Sequence, residues 1–182
     1  MPTFYLIRHA EPEWSLNQRL KLKGSQRDFV PLTDKGIQQA INVAKELHLK
    51  RAEIVVSSPF TRALHTASII CRELSLPIKV EYGLHEWIPD LTLEYDSFEK
   101  VLELANDFTR NNGSYPNDGS RLWETKDSMI KRAKESLRNY INFSRVIIVP
   151  HEMIIKSITG TNIDEIIQYC QIIERSSEAI FE

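Results

Sequence analysis

Short, unbroken hydrophobic runs alternate with longer stretches of helical period along this chain. Thr3–Ile7 and the segments 54–56 and 146–149 are continuously apolar and rich in Val and Ile, which predicts strands covered on both faces, as in a parallel sheet. Ile78–Val80 is a weaker extended piece, and a last strand is expected around 169–174. Between these runs the period changes. "LTDKGIQQAINVAKELHLK" puts Ile37, Ile41, Ala44 and Leu47 on one stripe, and "SSPFTRALHTASIICREL" does the same with Phe60, Ala63, Ala67, Ile70 and Leu74. Further helices are expected near Phe98–Arg110, over about 122–140, and briefly over 153–158, with "NNGSYPNDGS" as a clear break. Strand followed by helix, repeated, predicts an α/β class: a three-layer α/β/α sandwich on a mostly parallel, doubly wound sheet. The 182 residues suit a single domain, 1–182, burying roughly 70% of the unfolded surface, with 87–121 as a cap-like insertion.

An open parallel sheet binds ligands beyond the carboxyl ends of its strands. The residues just past each predicted strand form a consistent set: Arg8 and His9 after the first, Ser57, Ser58 and then Arg62 after the second, His151 after the 146–149 run, and His85 and Glu86 after the weak strand. Cations, imidazoles and one carboxylate gather at a single edge. The spacing predicts Ser58 as N-cap and Pro59 as the first residue of a helix, with Arg62 near its first turn. The helix dipole opposes a cation at that place. A dianion shared between the open N–H groups and the guanidinium removes the conflict, and phosphate is the natural one.

These blocks resemble those of the histidine phosphatase superfamily, the phosphoglycerate mutase-like proteins. "RHAEPEW" is similar to the family's RHGExxW signature, and "LTDKG", "SSPFTRALHTA", "LHE" and "VPH" follow in the family's order. The resemblance implies a three-layer fold and phosphoryl transfer through a phosphohistidine. It casts His9 as nucleophile, with Arg8, Arg62 and His151 on the phosphoryl oxygens and Glu86 as general acid, later the base for water. Ser15, Asn17 and Ser58 are the remaining candidates for substrate binding. Ala10 stands where the family has Gly, Ser15 where an Asn is frequent, and Pro150 and Glu152 flank His151 where small residues are common. Glu152 is expected to repel a dianion unless it points away.

Arg8 and Arg62 near His9 favour its neutral form and stabilise charge on the transferring group, the work magnesium does in kinases. Metal-independent catalysis without a cofactor is therefore expected. No HxxxH or comparable zinc spacing is present, so no metal ligands are assigned. The net charge of −2 excludes the basic excess that nucleic acid or an anionic membrane requires. Cys71 and Cys170 read as reduced, mostly buried thiols, and the opening residues lack the basic and apolar regions of a signal peptide. A cytoplasmic phosphatase acting on a small phosphorylated substrate or phosphoprotein is the expectation. A phosphoglycerate mutase-type transferase and a non-catalytic phospho-ligand binder are the alternatives. The acidic insertion "PDLTLEYDSFEK" ranks the mutase below hydrolysis. Arg19, Lys21, Lys23 and Arg27 read as a solvated loop first and as a recognition strip second.

Overall fold

The computed structural model describes residues 2–182, except that the side chain of Leu47 lies outside the described residues, so its place on the predicted stripe is not assigned. Strands β1 (Thr3–Ile7), β2 (Ile54–Ser57), β3 (Ile78–Val80), β4 (Arg145–Val149) and β5 (Ile172–Ser176) form one sheet in the order β3-β2-β4-β1-β5. The pairings are parallel except for β5, which runs antiparallel to β1. The helices are α1 (Ser15–Arg19), α2 (Asp34–Val43), α3 (Thr61–Leu74), α4 (Phe98–Arg110), α5 (Lys126–Arg138), α6 (Glu152–Thr159) and α7 (Ser177–Phe181). Among the described residues no helix is long and apolar enough to cross a membrane.

Strand pleating divides each apolar run between two cores. Phe4 and Leu6 face a cluster with Val56, Val146, Ile148 and residues of α4 to α7, including Met129, Ala133 and Ile154. Tyr5 and Ile7 face a second cluster with Val55, Ile147, Ala63, Ala67 and Ile70. The sheet is therefore the middle of three layers, which explains why its central strands are apolar without alternation.

Several boundaries differ from the sequence expectation. α2 stops at Val43, and the chain turns through a 3-10 helix, Leu47–Arg51. Gly36, Ala40 and Val43 are its buried positions, while Ile37 and Ile41 are half-buried beside them. At Gly36 an added Cβ would stand 2.2 Å from the Glu11 carbonyl oxygen, so the lack of a side chain lets α2 dock on the loop after β1. The last strand is shifted to Ile172–Ser176, and its half-exposed pattern reflects its place at the sheet edge. Cys71 and Cys170 are half-buried rather than buried.

Candidate active site

Parallel register brings the strand ends together. His9 N–H donates to the Pro150 carbonyl at 3.3 Å, and Ser58 N–H donates to the Val149 carbonyl at 3.1 Å. β1, β2 and β4 thus deliver His9, Ser58 and His151 to one edge, with the His9 and His151 ring centroids 5.0 Å apart.

The hydrogen bonds of His9 fix its protonation. Nδ1 lies 2.8 Å from the Ala10 carbonyl oxygen, which can only accept, so Nδ1 carries the proton. Nε2 lies 3.3 Å from Arg62 Nε, which can only donate, so Nε2 presents its lone pair. Burial, then the Arg62 and Arg8 charges, hold the His9 pKa well below its ordinary value. His9 is a neutral imidazole with one basic nitrogen facing the guanidinium. Ala10 avoids positive φ and donates its N–H to Thr66 Oγ1 at 3.0 Å.

Three buried polar atoms here have no partner among the described residues: Arg8 Nε, His151 Nδ1 and Asn17 Oδ1. Buried polar groups are rarely left unmatched, and those of Arg8 and Asn17 belong to side chains lining one cavity with His9, Arg62 and Glu86. His151 is fully buried beside His9, and its Nε2 meets Ser58 Oγ at 2.7 Å. Its pKa is driven down by burial and by the Arg62 charge.

Both guanidiniums already hold carboxylates. Arg62 Nη1 pairs with Asp28 at 2.7 Å, from the 3-10 helix Gly24–Phe29. Arg8 Nη1 pairs with Glu152 at 2.8 Å and also donates to the Ile167 carbonyl, while its Cζ lies 4.3 Å from the centre of the Tyr169 ring. Glu152 therefore does not point away from the site; it reaches Arg8, and its other oxygen holds Lys156 at 2.9 Å. Glu86 is half-buried on the cavity wall, accepting from Trp87 N–H at 2.9 Å and from Met153 N–H at 3.5 Å. Burial raises its pKa, with those N–H donors and Arg62 working against the rise.

Two expectations are corrected. The helix begins at Thr61 with Phe60 at the N-cap, two residues later than predicted, because Ser58 Oγ accepts from Phe60 N–H and bonds His151 instead of capping. Ser58 is thus fully buried against His151 and does not line the cavity, and Ser15 is exposed, bonded to Glu13, and does not line it either. Asn17 is buried on the cavity wall, with its Oδ1 unpartnered among the described residues. Sequence reasoning missed Asp28, hidden in a basic loop, and Trp14, whose ring centre lies 5.1 Å from Arg62 Cζ. It also missed Arg132, whose guanidinium grips the backbone around Glu86. Trp14 closes the RHAEPEW block, but no local pattern marks Asp28 or Arg132.

Comparison with known proteins supplies the lineage. Residues 4–167 match the model of the histidine phosphatase superfamily (branch 1). The Escherichia coli O1:K1 / APEC protein named "Probable phosphoglycerate mutase GpmB" is 31% identical over 169 residues, covering 86% of this chain and 73% of that protein. Bacillus stearothermophilus YhfR superposes with a TM-score of 0.70 at 23% identity, over 96% of this chain and 90% of its own. A phosphoserine phosphatase variant from Entamoeba histolytica, bound to phosphoserine, gives 0.63 at 23% identity, over 97% and 93%. The chain belongs to the histidine phosphatase superfamily.

Proposed function

We propose that this protein is a phosphomonoesterase working through a phosphohistidine on His9, without a metal ion. The observation that carries the reading is the neutral His9 imidazole, with its proton on Nδ1 and its basic Nε2 facing Arg62. A phosphoryl dianion takes the Arg62 Nε–H and the free Arg8 Nε and His151 Nδ1 as partners, releasing Nε2 to attack phosphorus in line. The P–N bond forms as the ester P–O bond breaks, and protonated Glu86 gives its proton to the leaving oxygen. Glu86, now a carboxylate, takes a proton from water as that water attacks phosphorus. The P–N bond breaks, and His9 recovers its lone pair. The sum is ester plus water giving alcohol plus phosphate. The two guanidiniums carry the positive charge that phosphoryl transfer needs. Residues 87–121 act as a cap over this centre.

The test is hydrolysis of p-nitrophenyl phosphate with and without EDTA, beside an alkaline quench that preserves phosphohistidine. Turnover unaffected by chelator and a label on wild type but not on His9→Ala is the expected result. Equal rates for wild type and His9→Ala overturn the nucleophile, and loss of activity with EDTA overturns the metal-free reading.

A second reading, mutase-type transfer, is favoured by the name of the Escherichia coli relative. The carboxylates on the cavity wall match its cations, Asp96 and Glu99 standing with Lys21, Lys23 and Arg27, so no cationic excess selects a carboxylate-bearing phosphoglycerate. Isomerisation of phosphoglycerate primed by a bisphosphate would reverse the ranking.

A further inference from the structure

The cavity over His9 is far larger than a phosphoryl group requires. Its volume is about 1000 Å³, at the top of the range of roughly 300–1,000 Å³ for small-molecule sites. Arg8, His9 and Arg62 take up only part of its lining. The same cavity is lined by Trp14, Leu22, Trp87, Tyr95, Phe98 and Phe108. The aromatic surface begins where the phosphoryl group ends, because Trp14 lies over the Arg62 guanidinium. Part of the aromatic lining is firmly held: Trp87 packs on Phe108 with centroids 5.1 Å apart, and its indole N–H donates to the Glu124 carbonyl at 2.8 Å. At the mouth, Trp14 is 43% and Phe98 56% exposed. Large aromatic rings left facing one cavity are the mark of a ligand-binding surface. Charge does not compete with shape here, since Lys21, Lys23 and Arg27 are opposed on the same cavity wall by Asp96 and Glu99.

We infer that the preferred substrate is the phosphomonoester of a bulky, flat, apolar alcohol, an aryl or arylalkyl group seated against the Trp14, Trp87 and Phe98 lining, rather than of a short polar one. This rests on the phosphomonoesterase reading for its chemistry, but the recognition itself is separable from turnover. The decisive measurement is calorimetric binding of two phosphonates that cannot be hydrolysed, methylphosphonate and 2-naphthylmethylphosphonate. The naphthyl compound is expected to bind at least about thirtyfold more tightly, the apolar burial being discounted for ordering costs. Phe98→Ala and Leu22→Ala should each narrow that ratio by about fivefold. Turnover should follow: kcat/KM for 2-naphthyl phosphate exceeds that for phenyl phosphate, a leaving group of similar acidity, chiefly through KM. Equal binding of the two phosphonates, or a ratio unmoved by both substitutions, overturns the inference. A preserved binding ratio in a protein that forms no phosphohistidine overturns the catalytic reading alone.

Discussion

Arg132 and Glu124 form a bidentate ion pair, Nε to Oε1 at 2.7 Å and Nη2 to Oε2 at 2.8 Å. The rest of the guanidinium donates to the carbonyls of Gly83, His85 and Glu86 at 2.6, 2.7 and 3.2 Å. Glu124 is 4% exposed, and its second oxygen also accepts from Ile88 N–H at 3.4 Å. The pair therefore clamps the backbone on both sides of the proposed acid, Glu86, without touching its carboxylate.

Arg132 is a positioning residue, and leaving-group dependence exposes that role. In Arg132→Lys, the kcat for alkyl phosphates should fall about 10- to 100-fold, part of the 10²–10⁴ that general acid catalysis supplies. For p-nitrophenyl phosphate, whose leaving group needs no proton, the loss should stay below about threefold. Equal losses on both substrates would mark a merely structural effect. Arg132→Met should lower stability by about 3–5 kcal/mol, because Glu124 is left buried and unpaired.

Glu152 competes with an anion for Arg8. In Glu152→Gln, inorganic phosphate should inhibit about three- to tenfold more tightly, since a negative charge near the site is removed. Arg8 should keep its place, held by the Ile167 carbonyl and the Tyr169 ring. Weaker phosphate inhibition would show that the carboxylate orients Arg8 more than it opposes the ligand.

The pH dependence follows from two shifts of opposite sense. His9 is held well below its ordinary value of 6.5, while Glu86 is raised above 4.5. Neutral imidazole and protonated carboxyl, which barely coexist at ordinary pKa values, are thereby brought together. Expressed per dianionic substrate, kcat/KM should have its acid limb below pH 6.5 and an alkaline limb set by Glu86, which Glu86→Gln removes. Stability moves with the same groups. Below pH 6.5 the unfolded imidazoles of His9 and His151 take up protons that the folded ones refuse, so folding weakens as pH falls. Glu86 and Asp28 act in the opposite sense, since the folded state holds their protons to higher pH. An acid limb at or above pH 6.5 in catalysis would refute the neutral His9.

Trp123 is fully buried, with Phe108 and Tyr115 at centroid distances of 5.2 and 5.0 Å and its indole N–H donating to Asp107 at 2.9 Å. Trp123→Ala should cost about 3–5 kcal/mol in denaturant unfolding. Because it joins α4 to the chain leading into α5, it should also weaken naphthylmethylphosphonate binding more than methylphosphonate binding.

Strand interiors were the most legible part of the chain, since burial on both faces leaves no reason for alternation in Phe4 to Ile7 or in Val146 to Val149. The helix expected near Phe98–Arg110 is α4, and its start is fixed by Ser97, whose side chain accepts from Lys100 N–H. Where Ser58 bonded a distant histidine instead of its own helix, the local rule failed, because the competing partner is 93 residues away. Asp28 and Glu152 were illegible for the same reason. A carboxylate's sign can be read from sequence, but its pairing with Arg62 or Arg8 depends on loops whose course no period encodes.

The proton on His9 Nδ1 is held by a main-chain carbonyl and not by a carboxylate. On the proposed reading, phosphorylation of Nε2 makes the ring a cation, and a carboxylate neighbour would stabilise that adduct. A neutral amide oxygen orients the ring while offering no full counter-charge. The covalent adduct is thereby kept short-lived, and its breakdown by water gains the driving force that a better-matched ion would have withheld.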